Sequence, residues 1–546
     1  MTKAADTKFD YIVIGAGSAG CVLANRLSTD PARRVCLIEA GPSDRRFPAR
    51  LLTRVPAGIA ALLQMKRYNY GFSFDPDPRL GDMPIPLPRG RMVGGTSSIN
   101  GMVYMRGNRR DYDGWAAAGN AGWSYDEVLP LFRRAENWQG PPSAYHGTEG
   151  ELDVSPPQDP HPICDAFIKA AEQLQYPRNP DFNGAEQAGF GLYHLTQRRG
   201  ERVSAARAFL DPVLSRPNLR LMTDTPVAQI LVENGRASGV RLRSGDTLTA
   251  TREVVLSAGT VHSPQLLMLS GIGPAEHLRD HGIAVVHDLA GVGEGLQDHQ
   301  NVLMQFSSSD SHLYGISLKA LPRILAAPFR YLLHRKGPLS SNLIEAAGYV
   351  KSRPDLEIPD LQICIGPGYL QENDHILPRG HGFSFFVTLM QSLSRGTIRL
   401  RSADLDAAPL ITSNFLSEPS ETAALVEGIR IVRRLAATPP LTSYQGREIW
   451  SGLAAESDAD LADAVHRQIS TAYHPVGTCR MGIDERAVVG PDLAVHGLRG
   501  LRVADASVMP ELISGNTNAP TMMIAEKLAE ILCAEVGEAT LFDLQN

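Results

Sequence analysis

Residues Asp10 to Glu39 read DYIVIGAGSAGCVLANRLSTDPARRVCLIE, and few folds accept that order of residues. Tyr11 to Ile14 is a short apolar run suited to a buried parallel strand. Gly15, Gly17 and Gly20 follow with G-x-G-x-x-G spacing, then a helical segment, then a second apolar run that closes on an acid. This is the order of a βαβ dinucleotide-binding unit. Gly15 permits the tight turn, Gly17 lets the backbone approach a pyrophosphate, and Gly20 lets the helix pack close to the strand. The helix N-terminus then offers unpaired N–H groups to the phosphates. Glu39 stands nineteen residues beyond Gly20, where a carboxylate can bind both hydroxyls of an adenosine ribose and favours a free 2′-OH over a 2′-phosphate. The unit alone separates neither NAD from FAD nor a cofactor site from a glycine-rich turn in an ordinary α/β domain.

A chain of 546 residues exceeds a single ordinary core, so two domains, interleaved in sequence, are expected. A net charge of −6 gives no electrostatic reason to expect nucleic acid. Cys21, Cys36, Cys164, Cys364, Cys479 and Cys533 form no C-x-x-C pair, which fits reduced thiols and a cytoplasmic location. Neither a signal-like apolar segment nor a run of 18 apolar residues is found, so no spanning helix is expected. Peripheral contact with the inner membrane stays open, because it needs a surface patch and not a span.

Further along, Asp75 to Gly90 is rich in proline and reads as extended surface chain. It leads to a second glycine cluster, GRMVGGTSSINGMVYMRG, from Gly90 to Gly107. Its free N–H and hydroxyl groups suit a phosphate or a ring edge. Asp111 to Asn137 reads as helix anchored by Trp115, Trp123 and Phe132, and Arg202 to Leu210 as the start of another. Asn218 to Thr249 alternates with period two and has turns at Asn234-Gly235 and Ser244 to Asp246, as a hairpin or meander does. Val254 to Leu256, a small-residue turn at Ser257 to Gly259 and a helix from His262 repeat the strand, turn and helix order. Asn301 to Leu400 reads as antiparallel sheet, and helices are expected at Glu421 to Leu435 and Asp460 to Ile469.

The last hundred residues concentrate the chemistry. His474 precedes Pro475, which biases it away from helix, so it can project from a fixed loop or simply pack as a hydrogen-bonded core histidine. Asn518 sits just before the N-terminus of a helix with an apolar stripe of Ile524, Leu528, Ile531 and Leu532. It can act as a plain N-cap, or place the positive end of the helix dipole toward an electron-rich ring edge. No histidine set has zinc spacing and no G-x-S-x-G elbow occurs, so no metal is expected.

Taken with GRMVGGTSSIN, GTVHSPQLLMLSGIG and YHPVGTCRMG, these blocks resemble the glucose-methanol-choline (GMC) family of FAD-dependent oxidoreductases over Asp10 to Leu532. AGCVLANRLS, KRYNYGF and GNTNAPTMMIAEK add a likeness to its bacterial alcohol and choline dehydrogenase branch. The resemblance implies an α/β chain, α+β overall. A Rossmann-like FAD domain would comprise residues 1–155, 218–305 and 470–546. Residues 156–217 and 306–469 would form a substrate domain on an antiparallel sheet flanked by helices. His474 matches the family's catalytic histidine and Asn518 its second active-site position. The cofactor positions are Gly15, Gly17, Ser18, Gly20, Glu39 and Ala40 on the ADP side, and Arg91, Val93, Gly94, Gly95, Ser98, Asn100, Gly101, Met102 and Val103 in the loop across the flavin. Val227, Ala258, Gly259, Asp505, Ala506 and Asn518 complete them. Some members carry FAD on a histidine of this loop; here that position is Ile99, so FAD is expected to be non-covalent.

The implied reaction oxidises a primary alcohol to an aldehyde, the hydroxyl proton going to His474 and the α-hydrogen passing as hydride to flavin N5. The electrons would go on to a quinone or another acceptor. An oxidase making hydrogen peroxide, a choline dehydrogenase with Glu345 either as its cation-site acid or as a structural strand residue, a non-redox FAD lyase and a non-catalytic flavin-binding protein share the scaffold. The oligomeric state is left open.

Overall fold

The extended segments sort into two large sheets according to how their apolar residues are spaced. In a computed structural model describing residues 7–81, 84–368, 380–444, 446–449, 452 and 455–535, the continuous apolar runs form a parallel sheet. Its strands lie in the order Leu219–Met222, Val35–Ile38, Lys8–Ile14, Thr247–Leu256 and Leu501–Val503. Val35–Ile38 is buried throughout, as a strand covered on both faces should be. Register aligns Ile14 with both Ile38 and Leu256, and Leu256 with Val503. These strands therefore end level, and Gly15, Glu39, Ser257 and Ala504 emerge along one edge. Open α/β sheets bind their ligands at this carboxyl end.

The alternating runs behave differently. Val227–Glu233, Arg236–Leu242 and the first part of Thr247–Leu256 form an antiparallel meander, turning at Asn234 and Gly235, both with positive φ. Gln300–Ser308, Gly380–Leu389, Leu361–Gly366, Ala346–Val350 and Gly189–Leu192 make the second sheet, with Ser470–Thr471 paired outside Gln300–Ser308. Phe306 stacks on Phe383 at 5.3 Å between ring centres, and Phe385 meets Phe306 edge-on. Helices Pro162–Gln173 and Pro419–Ala436 pack on this sheet. The mixed α/β class expected from the sequence is the one observed.

Several local expectations need correction. Asp75 to Gly90 is not simply surface chain: a turn at Pro78–Leu80 and a strand pair, Phe72–Ser73 with Pro86–Leu87, bury Leu80 and Leu87; residues 82 and 83 lie outside the described set. The Asp111 to Asn137 helix divides into Arg109–Ala117 and Tyr125–Ala135, because Gly119 and Gly122 take positive φ between them, and it ends in the strand Glu136–Trp138. Arg202 belongs to a short strand, and helical turns begin only at Ala206. Within Asn301 to Leu400 lies a helix, Leu321–His334, and Gly396–Arg399 joins a separate three-stranded sheet.

The C-terminal helix Asn518–Ala534 packs between Ser18–Leu27 and Tyr125–Ala135. Glu526, fully buried at the contact, accepts from Arg26 at 2.7 Å and Arg134 at 2.9 Å. Arg26 is also paired with Glu151, and Arg134 with Glu530. Removing one partner of a buried ion pair typically costs about 3–5 kcal/mol. Glu526→Gln is expected near the lower end, about 3 kcal/mol, because both arginines keep another acid. The shift of the denaturant midpoint in equilibrium unfolding measures it.

Candidate active site

Two glycine turns close on each other at the edge of the parallel sheet. Gly15, at φ +99°, donates its amide to Ile38 O at 2.7 Å. Gly94 donates to Ala16 O at 2.7 Å, and a Cβ on Gly95 would stand 2.8 Å from the Gly17 Cα. Gly17 and Gly101 are different. Both have ordinary φ, and a Cβ on either would meet nothing within 4 Å. The fold itself does not require glycine there, whereas close approach of a bound molecule to the backbone does. Gly259, which has positive φ, also faces open space.

Other expected positions lie around this cradle. Glu39 accepts from Ala16 N at 3.0 Å and Gly41 N at 2.8 Å. Burial pushes its carboxyl up to about 7, although both amides oppose the shift. Asp505 ties two strand ends together, accepting from Gly259 N at 2.8 Å and Ser263 Oγ at 2.6 Å. Ala40, Ala258 and Ala506 lie partly exposed beside these strand ends. In the loop, Ser98 Oγ donates to Val93 O at 3.1 Å, Asn100 Oδ1 accepts from Met102 N at 3.0 Å, and Asn342 donates to Gly101 O at 2.7 Å. Met102 has φ +60°, and Val103 pairs with Leu195. The Arg91 guanidinium lies 5.7 Å from the Tyr70 ring centre, with its buried Nε lacking a hydrogen-bond partner among the described residues. Val227 opens the meander strand. The open glycine surfaces at Gly17, Gly101 and Gly259 along this edge fit the close approach of a dinucleotide of the FAD type. Ile99 packs with Ala49, Leu62, Tyr68 and Met92 in a small apolar cluster.

The reactive groups come from the junction of the two sheets. Gln300 pairs with Thr471 and Asn301 with Ser470. Beyond this register, Ala472 N donates to His299 O at 2.9 Å, and Gln297 bridges Val476. Paired segments 297–301 and 470–476 thus hold His299 against His474. Asp298, buried between them, accepts from the backbone N of His474 at 2.7 Å and of His299 at 2.8 Å, and burial pushes its carboxyl up to about 6.

Hydrogen bonding decides the tautomers. His299 Nε2 lies 3.0 Å from Ile513 O, which can only accept, so in the neutral ring Nε2 carries the hydrogen and Nδ1 a lone pair. His299 Nδ1 is 2.9 Å from His474 Nδ1, so the hydrogen between them belongs to His474. His474 Nε2 is left bare, and Asn516 Nδ2 donates to it at 3.0 Å. Burial, the neighbouring His299 and the Arg89 charge hold the His474 pKa well below the ordinary histidine value. Burial likewise lowers His299 to about 4. The result is a neutral imidazole whose Nε2 lone pair accepts from Asn516.

Asn518, expected as the second active-site position, is engaged at its oxygen. Its Oδ1 accepts from Ser18 Oγ at 2.7 Å, joining the first helix to the last at the dinucleotide side. The carboxamide at His474 is Asn516, whose buried Oδ1 has no hydrogen-bond partner among the described residues. The sequence distinguishes the two only subtly: Asn516 follows Gly515 in the loop, while Asn518 already belongs to the helix. His299 was missed too, because its importance arises from pairing with a segment far along the chain. Glu345 accepts from His161 N at 2.9 Å, at the start of the Pro162–Gln173 helix, which is a structural use of that acid.

Among the described residues, His146, Asp181 and His194 bring possible metal-ligating atoms close together. Both nitrogens of His146 face carboxylates, Glu136 at 2.9 Å and Asp181 at 3.0 Å, while His194 Nδ1 lies 3.6 Å from Asp181 and has no hydrogen-bond partner among the described residues.

Comparison with known proteins agrees with this geometry. The GMC oxidoreductase profiles match residues 9–301 and 392–525. An alcohol dehydrogenase [acceptor] from Pseudomonas putida is 44% identical over 98% of this chain and 97% of its own length. An oxygen-dependent choline dehydrogenase from Klebsiella pneumoniae is 43% identical over 96% of each. Pyridoxine 4-oxidase from Mesorbium loti superimposes with a TM-score of 0.86 at 30% identity, covering 95% of this chain and 98% of that one. An Aspergillus oryzae formate oxidase variant, made to examine FAD modification, gives 0.88 at 26% identity over 97% and 99%. The dinucleotide cradle, the paired histidines and these full-length likenesses lead to one assignment: the chain belongs to the GMC oxidoreductase family of FAD-dependent enzymes.

Proposed function

We propose that the chain oxidises a primary alcohol to an aldehyde and passes the electrons to a quinone or another acceptor. The observation that carries this reading is the chain of bonds from Ile513 O through His299 and His474 to Asn516. An alcohol hydroxyl is too weak an acid to ionise at neutral pH, so breaking its α C–H bond needs a base to take the hydroxyl proton. His474 Nε2 is that base, and His299 fixes its tautomer. A substrate hydroxyl that replaces the direct Asn516–His474 bond donates to Nε2 and accepts from the Asn516 carboxamide. Bound FAD supplies the hydride acceptor. Gly15, Gly17, Ser18, Gly20, Glu39 and Ala40 are assigned to its ADP half, and Arg91, Val93 to Gly95, Ser98 and Asn100 to Val103 to the flavin loop. Val227, Ala258, Gly259, Asp505 and Ala506 are assigned to the remaining contacts, with Asn518 supporting through Ser18. We retain residues 1–155, 218–305 and 470–546 as the cofactor-binding part and 156–217 with 306–469 as the substrate part, with strand Gln300–Ser308 running across the division.

Anaerobic titration with aliphatic and aryl alcohols and with choline, following flavin absorbance, tests the reading. Bleaching by a primary alcohol supports it. Absence of bleaching together with cyanohydrin cleavage points to the lyase, and absence of both to a binding protein. Hydrogen peroxide yield in air, against reduction of an artificial dye, separates oxidase from dehydrogenase. Glu345 accepts from His161 N, a structural engagement that uses one of its oxygens, and the choline arm of the titration decides whether the acid also serves a cation.

Ile99 has no nucleophile, and it is packed into an apolar cluster. Acid precipitation is expected to release all the yellow colour into the supernatant; colour in the pellet contradicts non-covalent binding.

The pH dependence follows from the same groups. The folded-state pKa of His474 lies well below the ordinary value, so its neutral form persists from alkaline pH down through pH 6.5. The rate of flavin reduction is expected to stay flat across pH 6.5 to 8 and to fall only at lower pH. Stability moves in the same direction, because below the unfolded pKa of about 6.5 the unfolded chain binds protons that half-buried His474 and buried His299 refuse in the fold. Stopped-flow reduction against pH measures the first effect, and denaturant midpoints against pH the second.

A further inference from the structure

Among the described residues no helix is long and apolar enough to cross a membrane, yet one helix is turned inside out. In Leu321–His334 only Ala327 and Tyr331 are buried. Leu321, Leu325, Phe329 and Leu333 recur every four residues on the outer face, the last three 63%, 69% and 75% exposed, with Ile324 and Leu332 beside them. Leu318, just before the helix, is 90% exposed. A surface helix normally directs such a stripe to the core, and contiguous exposed apolar surface of this kind marks an interaction site.

The helix is held in place from beneath. Tyr331 Oη donates to Gly200 O at 3.2 Å, Arg330 pairs with Asp159 at 2.8 Å, and Arg335 with Glu201 at 3.3 Å. The Gly200 to Arg202 turn also contacts a second exposed element, Ala49–Arg54, which presents Leu51, with Phe47 just before it 84% exposed. Beside that element is a cavity of about 240 Å³ lined by Arg45, Arg50, Arg54, Arg202 and Arg207, with Asp44 and Asp211 the acids in its wall. Arg202 is fully buried, and its Nε and Nη2 have no hydrogen-bond partner among the described residues.

The charges are sorted as well. Residues 311–344 contain Lys319, Arg323, Arg330, Arg335 and Lys336 and no acid. Residues 45–74 contain Arg45, Arg46, Arg50, Arg54, Lys66 and Arg67 and no acid. These basic runs stand out in a chain of net charge −6. A second copy of the chain meeting this face by two-fold symmetry would set the same basic segments against each other. An anionic lipid surface satisfies both features, accepting the apolar stripe at the acyl boundary and the arginines among its phosphates.

We propose that this face docks on an anionic phospholipid bilayer, with Leu321–His334 lying in the interface and the arginine cavity taking a headgroup phosphate. Docking does not depend on the chemistry at His474. The test is co-sedimentation of the holoprotein with vesicles of phosphatidylcholine alone or mixed with phosphatidylglycerol, at low and high salt. Binding is expected only with the anionic vesicles and is weakened by salt. A Leu325→Glu, Phe329→Glu, Leu333→Glu triple variant should lose at least tenfold in binding. Arg50→Glu with Arg54→Glu should also weaken it, and both variants should keep the wild-type thermal midpoint and flavin content. Wild-type protein that fails to sediment with the anionic vesicles overturns the proposal. So does a folded triple variant that binds as wild type does, or light scattering that shows a wild-type dimer made monomeric by the triple variant with no change in vesicle binding. If the triple variant misfolds, Phe329→Gln alone and the salt dependence of the wild type decide on the same criteria.

Discussion

His474→Ala is expected to slow bleaching of the flavin by alcohol about 10²- to 10⁴-fold, the usual contribution of a positioned general base, while the purified protein stays yellow. The reason lies in the direction of the hydrogens. Ile513 O accepts from His299 Nε2, His299 Nδ1 accepts from His474 Nδ1, and His474 Nε2 is left bare. The flavin should remain because the side chain of His474 is hydrogen-bonded to His299 and Asn516 and not to any of the glycine turns. Anaerobic stopped flow at saturating alcohol is the measurement. An unchanged reduction rate removes His474 from the chemistry.

The second large effect separates two asparagines that lie two positions apart. Asn516→Ala is expected to lower the reduction rate about 10²- to 10³-fold, the scale of losing one preorganised donor at a reacting oxygen, with flavin content unchanged. Asn518→Ala breaks the bond to Ser18 Oγ and loosens the contact between the first and last helices on the dinucleotide side. It should therefore lower flavin content and thermal stability, while the loaded fraction reacts at close to the wild-type rate. The reverse pattern would return the catalytic role to Asn518. Flavin-to-protein ratios and single-turnover rates of the two variants separate the cases.

That pair also marks where the sequence stopped being legible. Gly15, Gly17, Gly20 and Glu39 were readable because a glycine turn between an apolar strand and a helix is a local device, with its spacing set by one turn and one strand. Gly94 and Gly95 stood out as a second glycine cluster and Asp505 came through family likeness, and all three fall at the same sheet edge. His474 was singled out because Pro475 keeps it out of a helix and its surrounding block matches the family's. His299 was not, since only the pairing of segments 297–301 and 470–476 gives it a role. Asn516 and Asn518 differ by where a loop becomes a helix, and a boundary shift of two residues exchanges their partners. The division between Arg109–Ala117 and Tyr125–Ala135 was available in Gly119 and Gly122. The Leu321–His334 helix was not, because its apolar spacing is that of a core helix and nothing local shows that the stripe faces outward.

The central claim is that His474 stands neutral at pH 7, protonated at Nδ1 and bare at Nε2. Nitrogen-15 shifts of the histidine rings, assigned by the signals missing from His474→Ala, report this state directly. A protonated Nδ1 beside an unprotonated Nε2 at pH 7 is the expected result; a hydrogen on Nε2, or an imidazolium ring, would contradict it.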